Sequence, residues 1–251
     1  MKSFLSSGRL LCGNIAFSVA LALLSPIVHG AVSIVSVLSP VPTGPQYTYV
    51  NFDNLALGTA GGISNGIQVS VVGGAQIVQG SVGGVTAAPF IANSSGLLFG
   101  DPTVSGLDST PYLTTSGLAG SVTLKLPGEE QTFGLLWSSV DASNVLTFFD
   151  SNNVAIGSFS GGSIVAAANG DPGAGNARTY YATFSSTSPF SRVVASGAFF
   201  EFDNVLYAPV PEPSPYISIF IGLAVISISL VWRPMSLGVL KSGSIRNRVA
   251  I

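Results

Sequence analysis

The 251-residue chain contains one cysteine and one histidine, Cys12 and His29, and both fall in its first thirty residues. Beyond that point it can close no disulfide and build no zinc centre from Cys and His ligands. Ser-His-Asp and Cys-His catalysis are excluded there for the same reason. Charge is scarce too, at 8% of the sequence. Across residues 31–209 ten acidic residues face three basic ones, Lys125, Arg178 and Arg192, a balance of −7. Nucleic-acid binding needs a basic footprint, so that partner is excluded. The 30 glycines form no GxGxxG or Walker pattern, and no EF-hand loop occurs. No stretch of residues 31–209 keeps a helical period. The nearest candidate, Ala166-Ala167-Ala168, is stopped at once by Asn169-Gly170-Asp171-Pro172.

What remains is a rhythm of short apolar runs, broken by Gly, Asn, Ser and Pro about every ten residues, which predicts an all-β sandwich or barrel. Val122, Leu124 and Leu126 alternate with Lys125, and Phe133, Leu135 and Trp137 share one strand face. Two β-prone runs, 145–149 and 154–159, flank Asp150-Ser151-Asn152-Asn153 and read as a hairpin. The Gly-rich tracts 58–84 and 170–175 read as turns and bulges. Phe52-Asp53-Asn54 near the start is echoed by Phe202-Asp203-Asn204 near the end. The echo predicts two strands side by side, each with Phe inward and Asp outward. The expected fold is a jelly-roll-like β-sandwich forming one domain over residues 31–209.

The two ends read differently. Lys2 and Arg9 precede an apolar stretch at 10–24, and Val28 and Gly30 supply small residues before a cleavage point, which together describe a secretory signal peptide at 1–30. Near the other end, residues 216–232 carry no charge. As a helix they measure about 25 Å, a minimal bilayer span. Tyr216 and Trp232 stand at its two edges, and Arg233, Lys241, Arg246 and Arg248 all follow it, which predicts a cytoplasmic tail and a body outside the membrane. Pro209, Pro211, Pro213 and Pro215 keep the approach to the span extended and exposed.

Pro211-Glu212-Pro213, a single span and then Arg233 resemble the PEP-CTERM sorting signal of bacterial surface proteins. The resemblance implies a sorting segment at 210–251. It implies recognition and processing by an integral-membrane exosortase, and delivery to the cell surface or the exopolysaccharide matrix. Stretches of the body are similar to a family of exosortase-dependent surface proteins known from cyanobacteria and proteobacteria. These are Gln79-Gly80-Ser81-Val82, Ala87-Ala88-Pro89-Phe90, Thr110-Pro111-Tyr112-Leu113, residues 135–144 and residues 200–205. This similarity spans about residues 51–232 and implies a location and a fold type, but no reaction.

Three sets of residues are candidates for chemistry. Trp137, Asp141 and Asn144 form the densest polar-aromatic cluster. An exposed Trp with nearby Asp and Asn would suit a sugar, whereas strand parity turns Trp137 inward with Phe133 and Leu135. Asp53, Asn54, Asp203 and Asn204 offer oxygen ligands to calcium if the two Phe-Asp-Asn strands are adjacent; otherwise they are local strand-end residues. Asp150 and Asp171 are weaker candidates of the same kind. Glu129, Glu130 and Glu201 are the material for a glycosidase carboxylate pair, although Glu129-Glu130 after Pro127-Gly128 reads as a charged turn. The expected function is a non-catalytic structural or interaction role at the cell surface, without a cofactor. The alternative is a carbohydrate-binding module with a structural calcium.

Overall fold

The computed structural model describes residues 31–209 except Ser39 and Leu118. The signal peptide expected at 1–30 and the sorting segment and helix expected at 210–251 lie outside the described residues. Among the described residues no helix is long and apolar enough to cross a membrane. The strands are β1 (Val32–Val37), β2 (Thr48–Val50), β3 (Gly62–Ser64), β4 (Ile67–Val72), β5 (Gln76–Gln79), β6 (Phe90–Ile91), β7 (Gly106–Leu107), β8 (Pro111–Thr114), β9 (Ser121–Ser138), β10 (Val145–Phe149), β11 (Ala155–Ser160), β12 (Tyr180–Ser196) and β13 (Glu201–Pro209). A 3-10 helix (Ser95–Phe99) and one short α-helix, α1 (Gly161–Ala167), complete the body.

The fold is all-β and antiparallel, as the punctuated alternation predicts. Two long strands organise it. The first half of β9 pairs with the second half of β12 (Thr123 opposite Val194), and the second half of β9 with the first half of β12 (Leu135 opposite Ala182). Between these stretches the register slips, around Phe190 on one strand and residues 126–129 on the other. Each half then recruits its own neighbours. β4, with β3 beyond it, joins β9 at Ser121–Lys125, and β10, with β11 beyond it, joins β12 at Arg192–Ser196. β1 joins the other half of β12, and β13 joins the other half of β9, followed by β2, β8 and β5. One curled sheet therefore supplies both layers of the sandwich.

The expected turn at Pro127-Gly128-Glu129-Glu130 is instead the bend of β9. Proline gives up one ladder hydrogen bond and glycine carries no side chain to pack, so a bend is well tolerated there. The hairpin of β10 and β11 is as predicted. α1 is an addition: Ser160 caps it, its hydroxyl accepting from the Ser163 N–H at 3.2 Å. Seven residues complete too few turns to display a period.

Alternation along each strand builds the main core. Val122, Leu124 and Leu126 meet Phe133, Leu135 and Trp137 across the two halves of β9. Phe148 packs edge-on against Phe133 and Phe190 at 5.8 and 5.1 Å. The Phe-Asp-Asn echo is spatial: Val50 of β2 lies opposite Val205 of β13, and Phe52 meets Phe202 edge-to-face at 6.2 Å. Both rings are buried. Asp203 also turns away from the core, but it does not reach solvent, because chain from residues 90–110 covers that side.

Truncating this aromatic pair tests the packing. Phe52→Ala and Phe202→Ala should each cost about 3–5 kcal/mol in urea unfolding. A double-mutant cycle should recover a coupling of about 0.5–1.5 kcal/mol. Additive losses would mean that the rings do not support each other.

Candidate functional site

The outer face of the β13 layer carries a second, smaller cluster: Val41, Ile91, Phe99, Leu136, Tyr181 and Leu206. Strand parity produces it. Leu135 and Trp137 face the core, so Leu136 between them faces out, and Tyr181 opposite Leu136 does the same. A flap formed by residues 90–110, with its β6–β7 ribbon and 3-10 helix, folds over this face. Asn51 ties the flap down, its Nδ2 donating to the Phe99 carbonyl at 2.8 Å.

Where the flap ends, a cleft of about 600 Å³ opens. Its apolar wall includes Val41, Phe90 and Leu136, and its polar groups come from Thr43, Asn93, Ser95, Asp171 and Thr179. Tyr181 lines it with a buried hydroxyl that has no protein partner. Burial holds that phenol well above the usual tyrosine range, so it is a neutral donor at physiological pH. The tyrosine ring lies against β9 because residue 134 is glycine; a Cβ there would come within 3.1 Å of the Tyr181 hydroxyl. No lysine or arginine lines the cleft.

Beside the cluster, under the same flap, acidic side chains gather. The register slip between Asp203 and Leu206 inserts one extra residue into β13. Asn204 takes φ 47° there, and both Phe202 and Val205 point into the core. Asp203 is fully buried and neither carboxylate oxygen has a partner. Burial first, then the charge of Asp108 beside it, holds Asp203 well above the usual carboxylate range. Asp108 is raised too, by burial first and then by the charge of Asp101. Asp53 is raised by burial and by Asp101.

Local geometry fixes these groups. Asp101 Oδ1 accepts from the Thr103 N–H at 2.7 Å, and Asp108 Oδ1 from the Thr110 N–H at 2.8 Å and hydroxyl at 2.7 Å. Asp53 Oδ2 accepts from Asn51 Nδ2 at 2.9 Å. The other oxygen of each carboxylate, and Asn204 Oδ1, are buried without a hydrogen bond. Among the described residues no three Asp, Glu, His or Cys side chains already surround one point as metal ligands.

The structure separates the residues singled out in the sequence. Asp53 and Asp203 are brought to this region, and Asn204 follows Asp203 in the bulge with its Oδ1 buried. Asn54 is not: it is exposed, and its Nδ2 donates to the Ile63 carbonyl at 2.9 Å. Asp101 and Asp108, which sequence reasoning missed, join instead. Their shared Asp-x-Thr signature was visible, but Asp150 and Asp171 make the same turn on the surface, accepting from the Asn152 and Gly173 N–H groups. Burial under the flap, which no local pattern announces, is what distinguishes the two pairs. Tyr181 and Thr179 were missed as well.

Trp137, Asp141 and Asn144 do converge, as packing. Trp137 is 0% exposed and stacks on Phe200 at 4.1 Å and 11°. Asn144 is buried: its Oδ1 accepts from the Asp141 N–H at 3.0 Å, and its Nδ2 donates to the Ala198 carbonyl at 2.6 Å. Asp141 is exposed. The indole offers no free face to a sugar, so the ligand-binding role expected of this trio is corrected to a structural one. The glycosidase pair is also corrected. Glu201 lies opposite Ser138 and Glu130 opposite Pro209, at the two ends of β13. Eight residues of strand separate them by roughly 25 Å, against about 5–9.5 Å for glycosidase carboxylates. Glu129 is exposed. Glu201 is buried, accepts from the Thr114 hydroxyl at 3.4 Å, and is pushed up to about 8 by burial.

No protein-family model matches the chain, and no curated protein matches it. Among solved structures, a point mutant of CBM29-2, a family 29 carbohydrate-binding module, is similar at 14% identity, over 64% of this chain and 91% of that one, with a TM-score of 0.27.

Glu130 gives a pH test at the far end of β13. Its Oε2 is buried without a partner, and burial raises its carboxyl above the usual range. A raised folded-state value stabilises below the unfolded value and loses that contribution as pH rises through the folded value. Glu130→Gln should therefore melt with the wild type near pH 4 and above it at about pH 8. Thermal unfolding at both pH values checks this; equal melting throughout would show that Glu130 reaches water.

Proposed function

We propose that the chain is an exported bacterial surface protein whose β body is a non-catalytic binding module, with its ligand site in the cleft beside Tyr181. The single observation that carries the binding role is this cleft, built from an apolar wall with hydroxyl groups, the Asn93 amide and the Asp171 carboxylate on its rim. That mixture suits a neutral polyol: an aromatic or apolar wall takes the C–H face of a sugar while amides and hydroxyls take its oxygens. The absence of Lys and Arg from the lining disfavours phosphate and sulfate esters. The ligand class we infer is a neutral matrix or envelope polysaccharide.

Export rests on the ends of the chain. Residues 1–30 would direct secretion. Pro211, Glu212, Pro213, the apolar run 216–232 and Arg233 would present the protein to an exosortase at the outer face of the membrane. Anchoring then comes first and processing second.

Two experiments test these parts separately. Isothermal titration with neutral exopolysaccharide fragments should show saturable binding. Thr43→Trp, which places a bulky ring on an exposed wall residue, should weaken it at least about tenfold, a loss of about 1.4 kcal/mol. Binding untouched by Thr43→Trp and by Asn93→Ala would remove the cleft as the site. For export, mass spectrometry of the protein recovered from its native envelope should find residues 216–251 removed. An intact tail in cells with an active sorting enzyme would make the segment a plain anchor.

A further inference from the structure

A second, smaller pocket of about 260 Å³ lies at the Glu201 end of β13 and shares no lining residue with the cleft beside Tyr181. Three turns meet there. Val85 and Thr86 come from the loop after β5, Ser139 and Asp141 from the turn between β9 and β10, and Phe199 from the turn between β12 and β13. Buried Asn144 ties two of these turns together. Its Oδ1 accepts from the Asp141 N–H at 3.0 Å, and its Nδ2 donates to the Ala198 carbonyl at 2.6 Å. On the other side of Phe199, the Phe200 N–H donates to the Thr115 hydroxyl at 2.9 Å. The turn is therefore held on both sides of Phe199, whose φ of 54° is strained for an aromatic residue. The Phe199 ring stays 38% exposed, whereas Trp137 and Asn144 do not line the pocket.

The lining combines an exposed ring, two hydroxyls and two carboxyls, with no lysine or arginine. Asp141 is exposed on the rim. Glu201 is 1% exposed; its Oε1 accepts from Thr114, which lies outside the lining, and its Oε2 has no partner. This composition sorts ligands by charge. A phosphate, sulfate or uronate would meet charge of its own sign. A purely apolar group would strip water from Asp141 and the hydroxyls without replacing it. A neutral sugar would use the ring and the hydroxyls and gain nothing from the carboxyls. A sugar bearing an ammonium uses every group. Its C–H face lies on Phe199, its hydroxyls meet Thr86 and Ser139, and its charge is drawn both to a carboxylate and to the ring. An ammonium also brings three donors to a pocket that holds an unfilled acceptor.

We propose that this pocket is a second binding site, which takes one amino-sugar unit with a free ammonium group. Phe199 supplies the stacking face, Asp141 the countercharge, and Asn144 is the positioning residue that fixes one against the other. The volume suits a single sugar ring, being a little below that of sites for drug-sized ligands. The site stands whether or not the cleft beside Tyr181 binds a neutral polysaccharide.

The test titrates the full-length chain, at physiological salt, with a glucosamine tetramer. The N-acetylglucosamine tetramer, which carries no charge, runs in a parallel arm. The charged tetramer should bind, and the acetylated one should bind at least about tenfold more weakly. Asp141→Asn keeps the backbone contacts with Asn144, and Phe199→Asn removes an exposed ring at a φ that asparagine tolerates. Each should weaken the charged tetramer about fivefold. Asp150→Asn, in a surface turn away from the pocket, should not change its affinity. Absence of binding, or equal affinity for the two tetramers, would overturn the proposal. Equal losses from Asp150→Asn and Asp141→Asn would overturn it by reducing the binding to general attraction to an acidic surface. A loss on Thr43→Trp with none on Asp141→Asn would overturn it by moving the amino sugar to the other cleft.

Discussion

Everything in this fold hangs on the double pairing of β9 with β12. These two strands are long enough to bend once and hydrogen-bond on both sides of the bend, so each contributes to both layers. β4, β10 and β1 attach directly to one or the other. β13 attaches to β9 and brings β2 and β8 with it. The layers are therefore faced by covalent continuity rather than by packing alone. The bend falls where it costs least, at Pro127-Gly128, where a hydrogen bond and a side chain were already missing. The pairing joins residues more than forty positions apart, and such distant contacts form late because loop closure comes first.

The same bend marks the limit of what the sequence disclosed. Alternation in residues 121–126 and 131–138 gave two strands on their correct faces. Local turn chemistry at Pro127-Gly128 argued for a break between them, and cross-strand pairing overrode it. The Phe-Asp-Asn echo identified a true neighbour pair, because a buried aromatic followed by an outward acid is what two adjacent strands of one layer both need. Its outward half was misread. From a strand alone an opposed face implies water, and only the flap over β13 makes it interior. The flap itself carries no period: its ribbon strands have two residues each and its 3-10 helix five. Trp137 shows the converse case. Parity placed it inward, and a stacked Phe200 keeps it there.

Composition was informative about charge and silent about place. Carboxylates ordinarily stay in water. Here Asp101, Asp108, Glu130, Glu201 and Asp203 are buried. Acids displaced from solvent into an interior poor in cations are pushed toward their neutral form, as at Asp108, Glu201 and Asp203. The cleft beside Tyr181 shows the same scarcity: no Lys or Arg lines it, and its polar side chains are hydroxyls, an amide and the Asp171 carboxylate.

The last strand has a mechanical meaning. β13 lies between β9 on one side and β2 and β8 on the other, and the chain leaves it at Pro209. A load applied at Pro209 runs along β13, so its cross-strand bonds are strained together in shear. They are not peeled apart one at a time. The buried acidic group straddles that strand and the flap, so the line of tension passes through it. A body of this design carries a pull on Pro209 through a strand bonded on both sides, not through an edge.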